Sequence, residues 1–304
     1  MDEPLEHADM KGVAAVSFAT VIWAVTGPLV KIVAVPALVI SFYRLWISVP
    51  ALAIAAKAGG KKVLKVPPKW ALLGGLLFAL HQLLFFQALK ATTVANVMII
   101  GALQPAMVAI VSLPLFGERV NRVQVVWMAV GIAGVATVVA GSAGSPAWSG
   151  WGDILAVLNI VAFTAYFLAS KQARTKVDTT TYSLVMTTTA GIVMAVICLA
   201  SAQPLVRSDA KEWIVVATIA LIPGTLGHFA VNWAHPRVPA VTSSTILLGL
   251  PALSAAGAWI VLGESMTPLA IAGSAIAIIA IGAMIRADRN RARADEIELE
   301  STAP

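Results

Sequence analysis

Asn159, Phe163 and Tyr166 recur at i, i+4 and i+7, so they share one stripe of any helix that carries them. A shift of 140 residues lays this stripe on Ala19, Trp23 and Thr26. Stripes of this kind either pack helix on helix or wall a site for a solute with an apolar body. His228, Asn232 and His235 repeat the spacing, with Gln82 and Phe86 at the related places of an earlier segment and His81 with Phe85 on the neighbouring stripe. An uncharged imidazole and an amide each offer a donor and an acceptor. His81, His228 and Asn232 therefore suit a zwitterionic solute as well as they suit a carbonyl of the next helix. Arg44, next to Tyr43 and close to Phe42, is the one cation deep in an apolar run. It either snorkels to an interface or meets an anion, and a carboxylate matches its two-pronged donors. Pro105 and Pro251 each remove a backbone hydrogen bond, with Gly101 and Gly249 close by. They are static bends or paired hinges, and Pro223-Gly224 is similar. Asn96, Met98, Gln104 and Thr245 lie where bending would move a lining.

The elements that must position these groups follow from composition. Of 304 residues, 59% are hydrophobic and 12% charged, against about 25% charged in an ordinary soluble domain. With a mean hydropathy of +0.87, a water-soluble globule would expose large apolar patches, so the bilayer is the solvent for most side chains. Apolar runs of spanning length predict ten helices near 11–33, 37–57, 70–90, 93–115, 121–141, 151–171, 181–201, 212–233, 240–262 and 267–286. The turn-rich GSAGSPAWSG at 141–150 marks the midpoint. This divides the chain into a repeat at 1–141, a linker at 142–150, a second repeat at 151–286 and a charged tail at 287–304.

The charge of +6 does not point to nucleic acid, because the cations sit between apolar segments. Sixteen Lys and Arg, among them Lys171 and Arg119, fall on the face holding the N-terminus, and four, Lys31, Lys90, Arg207 and Lys211, on the other. By the positive-inside rule both termini are expected in the cytoplasm of a bacterial inner membrane. Met1 to Asp9 carry four acids and no basic region, so no cleavable signal peptide is expected. The lone Cys198 allows no intrachain disulfide.

The halves echo each other. Gly12, Trp23 and Lys31 fall on Gly152, Phe163 and Lys171 at a shift of 140; Pro105 and Gly117-Glu118 fall on Pro251 and Gly263-Glu264 at a shift of 146. Five spans per repeat make the second copy enter from the opposite side, an inverted repeat of the kind transporters use. These paired motifs, with Leu115 to Arg119 and the Trp23-to-Lys31 opening, resemble the drug/metabolite transporter superfamily in its EamA-type branch, over residues 11 to 286. Within that branch the chain is similar to bacterial amino-acid exporters, including aromatic ones. The resemblance implies ten helices as two inverted five-helix repeats, a central cavity lined by spans one to four and six to nine, and peripheral fifth and tenth spans.

Gly117 and Gly263 read as helix stops, with Glu118 and Glu264 as surface charges or salt-bridge partners. Small residues at Ala129, Ala133, Thr137 and Gly141 permit close helix approach, within the chain or in a dimer. The sequence holds no HExxH, GxxxxGK[ST] or GxSxG signature, and its four histidines are scattered. No enzyme activity, metal or cofactor is expected. No Asp or Glu lies in the middle of a span, which leaves His81 and His228 as internal proton carriers or, more economically, uncoupled movement down the solute's gradient. The expected function is export of amino acids, aromatic or otherwise bulky and apolar, or related small metabolites. The alternatives are a carrier of sugar phosphates or nucleotide sugars, which would want more intramembrane cations than Arg44, and a non-transporting scaffold or enzyme.

Overall fold

The computed structural model describes all residues except 1–7, 61–68, 142–148, 203, 206–208, 263–265 and 303–304. The described residues contain no strand. They form ten apolar helices long enough to cross a bilayer: α1 Met10–Ile32, α2 Ala37–Ala58, α3 Lys69–Ala91, α4 Val94–Phe116, α5 Arg122–Gly141, α6 Trp151–Arg174, α7 Thr179–Ala200, α8 Ala210–Ala234, α9 Ala240–Gly257 and α10 Pro268–Arg291. Four of their starts carry the short polar side chains that satisfy first-turn amides. Asp9, Thr93, Asp178 and Asp209 cap α1, α4, α7 and α8. Gly117 closes α4 in the left-handed region at φ 71, as a helix-stop glycine should. Gly263-Glu264, Arg207 and the middle of the linker lie outside the described residues.

Four spans are interrupted, each beside a proline that withholds an amide from the ladder. In α1 the helix stops at Trp23 and resumes at Thr26. Pro28 leaves the Ala24 carbonyl without its donor, and Ser254 Oγ of α9 supplies one at 2.7 Å. In α4 the break falls between Gly101 and Gln104, ahead of Pro105. In α9 it falls between Ile246 and Gly249, ahead of Pro251. The shift of 146 superimposes these two breaks to within a residue. In α8 a π-helical turn runs over Ala220–Gly227 around Pro223. Carbonyls released there take side-chain donors: Trp23 Nε1 reaches Pro223 O at 2.8 Å and Arg44 Nη2 reaches Gly224 O at 3.3 Å.

α9 is the most enclosed span, followed by α6, and α10 is the least. α5 and α10 pack on each other at the margin through glycines: a Cβ on Gly134 would lie 2.7 Å from Ala277 N, and one on Gly273 2.4 Å from Val138 N. Of the expected small-residue stripe, Thr137 and Gly141 lie at this close approach, which Gly131 and Gly134 extend, while Ala129 and Ala133 are exposed. Only glycine permits backbone contact, which is why the approach follows the glycines and not the alanines.

With ten spans, α1 begins and α10 ends on one face of the bundle, here the terminal face. That end is sealed by an apolar cluster including Val13, Val16, Val108, Phe167, Val231 and Val241. Asp9 N donates to Arg237 O at 2.8 Å across the same seam. At the opposite face the lysines close backbone ends. Lys31 Nζ donates to Thr92 O at 2.7 Å and Lys90 Nζ to Val33 O at 2.5 Å.

Candidate substrate cavity

A cavity of about 110 Å³ lies in the interior of the described residues. Ordinary ligand sites run from roughly 300 to 1,000 Å³, so the space suits only a small solute.

The cavity lies in the half of the bundle away from the terminal face. Its lining comes from the second half of α1 (Trp23, Thr26, Gly27) and α3 (His81, Gln82, Phe85, Phe86), and the first half of α2 (Arg44) and α4 (Val97, Met98, Gly101). Across from these stand Asn159, Ile160 and Phe163 of α6, Ile219, Pro223 and His228 of α8, and Leu250 of α9. α7 contributes nothing, a departure from the expected lining by spans six to nine. Its inward face is spent on packing, with Tyr182, Met186, Ala190 and Met194 buried in a hydrophobic cluster.

Aromatic rings form most of one wall. Trp23 meets His228 at 4.7 Å and Phe163 edge-on at 6.1 Å. His81 lies 4.6 Å from Phe163 and 5.8 Å from Phe85. The His81 ring is oriented by Asn159, whose Oδ1 sits 2.8 Å from Nδ1. Because an amide oxygen only accepts, Nδ1 carries the hydrogen, and the uncharged ring presents Nε2 as an acceptor.

Arg44 is the single cation on the lining. It is buried, donates to Gly224 O, and holds its guanidinium 5.2 Å above the Phe78 ring. No carboxylate pairs with it among the described residues. A buried, unneutralised guanidinium costs several kcal/mol, a cost that an anion in the cavity would offset. Gln82 stands on the adjacent helix, 2% exposed, and its Oε1 has no hydrogen-bond partner.

Six of the sequence-derived residues stand elsewhere. Tyr166 is one layer behind the wall, parallel to His81 at 6.0 Å, with its hydroxyl 3.2 Å from His228 Nδ1. Tyr43 turns outward to Trp213, at 4.5 Å, and donates to Leu205 O at 3.0 Å. Neighbouring positions on a helix diverge by about 100°, and here the cavity takes Arg44 while Tyr43 follows Trp213 and Leu205. Asn96 donates to Asp153 Oδ1 at 2.7 Å and Thr92 Oγ1 at 3.0 Å, joining α4 to α6. Asn232 donates to Ser183 Oγ at 3.2 Å, and Thr245 back-bonds to Val241 O at 2.8 Å. Gln104 is buried off the lining. Of the proline pair, neither Pro105 nor Pro251 lines the cavity, although Gly101 and Leu250 beside them do.

A second polar centre forms around Glu118, expected as a surface charge or a salt-bridge partner, but its lysine was not foreseen. Lys171, counted among loop cations, is buried with Glu118 at 2.9 Å and donates to Val238 O at 2.8 Å and His235 O at 3.3 Å. Glu118 Oε1 and Oε2 accept the Ala240 amide at 3.0 and 2.8 Å, capping α9. The signal was present in the repeat: Lys31 is the counterpart of Lys171, and Thr92, which Lys31 binds, is the counterpart of Val238. The apolar lining at Val97, Ile160, Ile219 and Leu250 carries no chemical signal that sequence could reveal.

The family profile described as "EamA-like transporter family" matches residues 10–140 and 150–286. No curated protein matches the chain. A solved structure titled "Crystal structure of protein" superimposes with a TM-score of 0.81 over 93% of this chain and 99% of its own, at 19% identity. The likeness is one of fold.

Proposed function

The chain belongs to the EamA-like transporter family, whose members carry small solutes across membranes, and from that premise we propose that it exports amino acids with aromatic or other bulky apolar side chains, or closely related metabolites. The observation that carries this is the pairing of one unneutralised guanidinium, Arg44, with an aromatic wall of Trp23, Phe85 and Phe163 around a space that suits a small solute. A carboxylate satisfies the guanidinium through two charge-assisted bonds, and the rings take up the apolar body. Sugar phosphates and nucleotide sugars fit less well. A dianionic phosphate meets one cation only, and a nucleotide sugar exceeds the available volume.

The terminal face is assigned to the cytoplasm of a bacterial inner membrane. Support comes from the excess of Lys and Arg there, reduced by one because Lys171 is consumed in an internal ion pair. In this orientation the cavity lies toward the outside and the sealed end toward the cytoplasm, an arrangement suited to release. Alternating access then requires the seal at the terminal face to open.

Counterflow of radiolabelled amino acids in proteoliposomes tests the proposal. Saturable exchange of phenylalanine, tryptophan or leucine is expected, with Arg44→Gln raising KM at least tenfold. Absence of counterflow for every proteinogenic amino acid sinks it.

A further inference from the structure

Two groups on the cavity lack complementary partners, and they lie close together. Arg44 offers donors and positive charge with no carboxylate beside it. Gln82 borders the cavity with its Oε1 turned inward and without a donor, and since no side-chain bond holds the amide among the described residues, a half-turn presents that acceptor to the cavity. α2 and α3 touch where Ser41 Oγ meets Gln82 O at 3.5 Å. Arg44 follows Ser41 by three residues, on the same face and about 5–6 Å further along. One small head group therefore spans both. An unpartnered buried acceptor costs about 1–3 kcal/mol, so the ligand that completes this site brings a donor to Gln82 as well as an anion to Arg44.

More acceptors surround Gln82. His81 Nε2 is one, since Nδ1 is committed to Asn159. Gly101 lines the cavity at the end of the first half of α4, and Pro105 has no amide to give the Gly101 carbonyl. Helix carboxyl ends carry partial negative charge, and interrupted membrane helices present them to cationic groups. Resting on the amino-acid reading above, the geometry points to a two-pole head site: Arg44 binds the carboxylate, while Gln82 Oε1, His81 Nε2 and the Gly101 carbonyl bind the α-ammonium. The site reads a zwitterion, and the aromatic wall is left to choose the side chain.

Equilibrium binding of four tritiated probes to the purified full chain in nanodiscs tests this: L-phenylalanine, 3-phenylpropionate lacking the amine, 2-phenylethylamine lacking the carboxylate, and L-phenylalaninamide. Phenylalanine is expected to bind at least tenfold more tightly than each of the others, because each forfeits hydrogen bonds to a charged group. Gln82→Met is expected to weaken phenylalanine about tenfold and leave 3-phenylpropionate unchanged; Arg44→Gln is expected to weaken both carboxylates and leave 2-phenylethylamine unchanged. The comparison among probes on the unaltered protein stands whether or not a variant folds. If 3-phenylpropionate binds as tightly as phenylalanine, the ammonium pole is wrong while carboxylate transport survives. If none of the four binds, the amino-acid reading falls and this assignment falls with it.

Discussion

Lys171 Nζ and Glu118 Oε1 stand 2.9 Å apart in the interior at the terminal end of the bundle, and the pair joins α6 of the second repeat to the end of α4 of the first. Glu118 holds the start of α9 through Ala240 N, and Lys171 holds the α8–α9 turn through two carbonyls. Four elements thus converge on one charge pair at the sealed end. Removing one partner of a buried pair costs about 3–5 kcal/mol, because the other charge is left uncompensated, whereas removing both costs far less. Glu118→Gln is expected to lower the unfolding midpoint in detergent sharply, and adding Lys171→Met to restore most of it. Equal midpoints for the parent and the single variant would show that the pair holds nothing together.

Gly227 tests the cavity wall by steric means. A Cβ there would sit 2.2 Å from Trp23 Nε1 and 2.7 Å from Cδ1. Gly227→Ala must push the indole off Pro223 O, its partner at 2.8 Å. Overpacking of this kind costs about 1–3 kcal/mol. Substrate affinity and thermal stability are both expected to fall. A second change, Trp23→Phe, frees the space and should recover stability but not affinity. Affinity unaltered by Gly227→Ala would remove Trp23 from the binding wall.

Much of this architecture was legible in the sequence because bilayer physics leaves few options. Apolar runs of spanning length must be helices, since lipid supplies no partner for free amides, and all ten appear within a few residues of the expected bounds. Trp23, His81, Phe163 and His228 converge on one cavity because the repeat places them at related depths. Depth is what spacing reveals; facing is what it does not. Tyr43, Asn96, Gln104, Tyr166, Asn232 and Thr245 are at fitting depths yet look away, since a helix apolar on all sides gives no stripe from which to read its rotation. The burial of Lys171 was hidden for a related reason: a lysine near a span end snorkels or pairs inward according to what stands opposite, and Glu118 is 53 positions away in the chain.

The prolines of α4 and α9 give a prediction that separates the two repeats. Each sits just beyond a break, and alanine would supply the missing amide and stiffen the joint. In α9 the carbonyl that Pro251 leaves free is Leu247 O, which already accepts Leu250 N at 3.0 Å and is off the lining. Pro251→Ala is expected to slow turnover several-fold with binding unchanged, the signature of an altered conformational step. In α4 the corresponding carbonyl is that of Gly101, a residue on the cavity lining. Pro105→Ala is expected to reduce both turnover and affinity. Matching single-turnover and equilibrium-binding data for the two variants, with no loss of turnover in either, would rule out hinges at these sites.

Energy coupling follows from where the titratable groups stand. Among the described residues, the buried carboxylates are committed away from the cavity: Glu118 to Lys171, Asp153 to Thr92, Asn96 and the Ser149 amide, and Asp288 to Gln124 and Thr242. None lines the space that a proton would have to share with substrate. His81 and His228 do line it, but each spends Nδ1 on a neighbour, Asn159 or the Tyr166 hydroxyl. Protonating His81 at Nε2 would convert an acceptor into a donor and place a second cation beside Arg44, opposing the same ammonium it is expected to bind. Transport is therefore expected to run down the solute's own gradient without proton exchange. In proteoliposomes with equal phenylalanine on both sides, an imposed pH gradient should drive no net accumulation. Sustained uphill accumulation that disappears in His81→Gln or His228→Gln would overturn this and name the proton carrier.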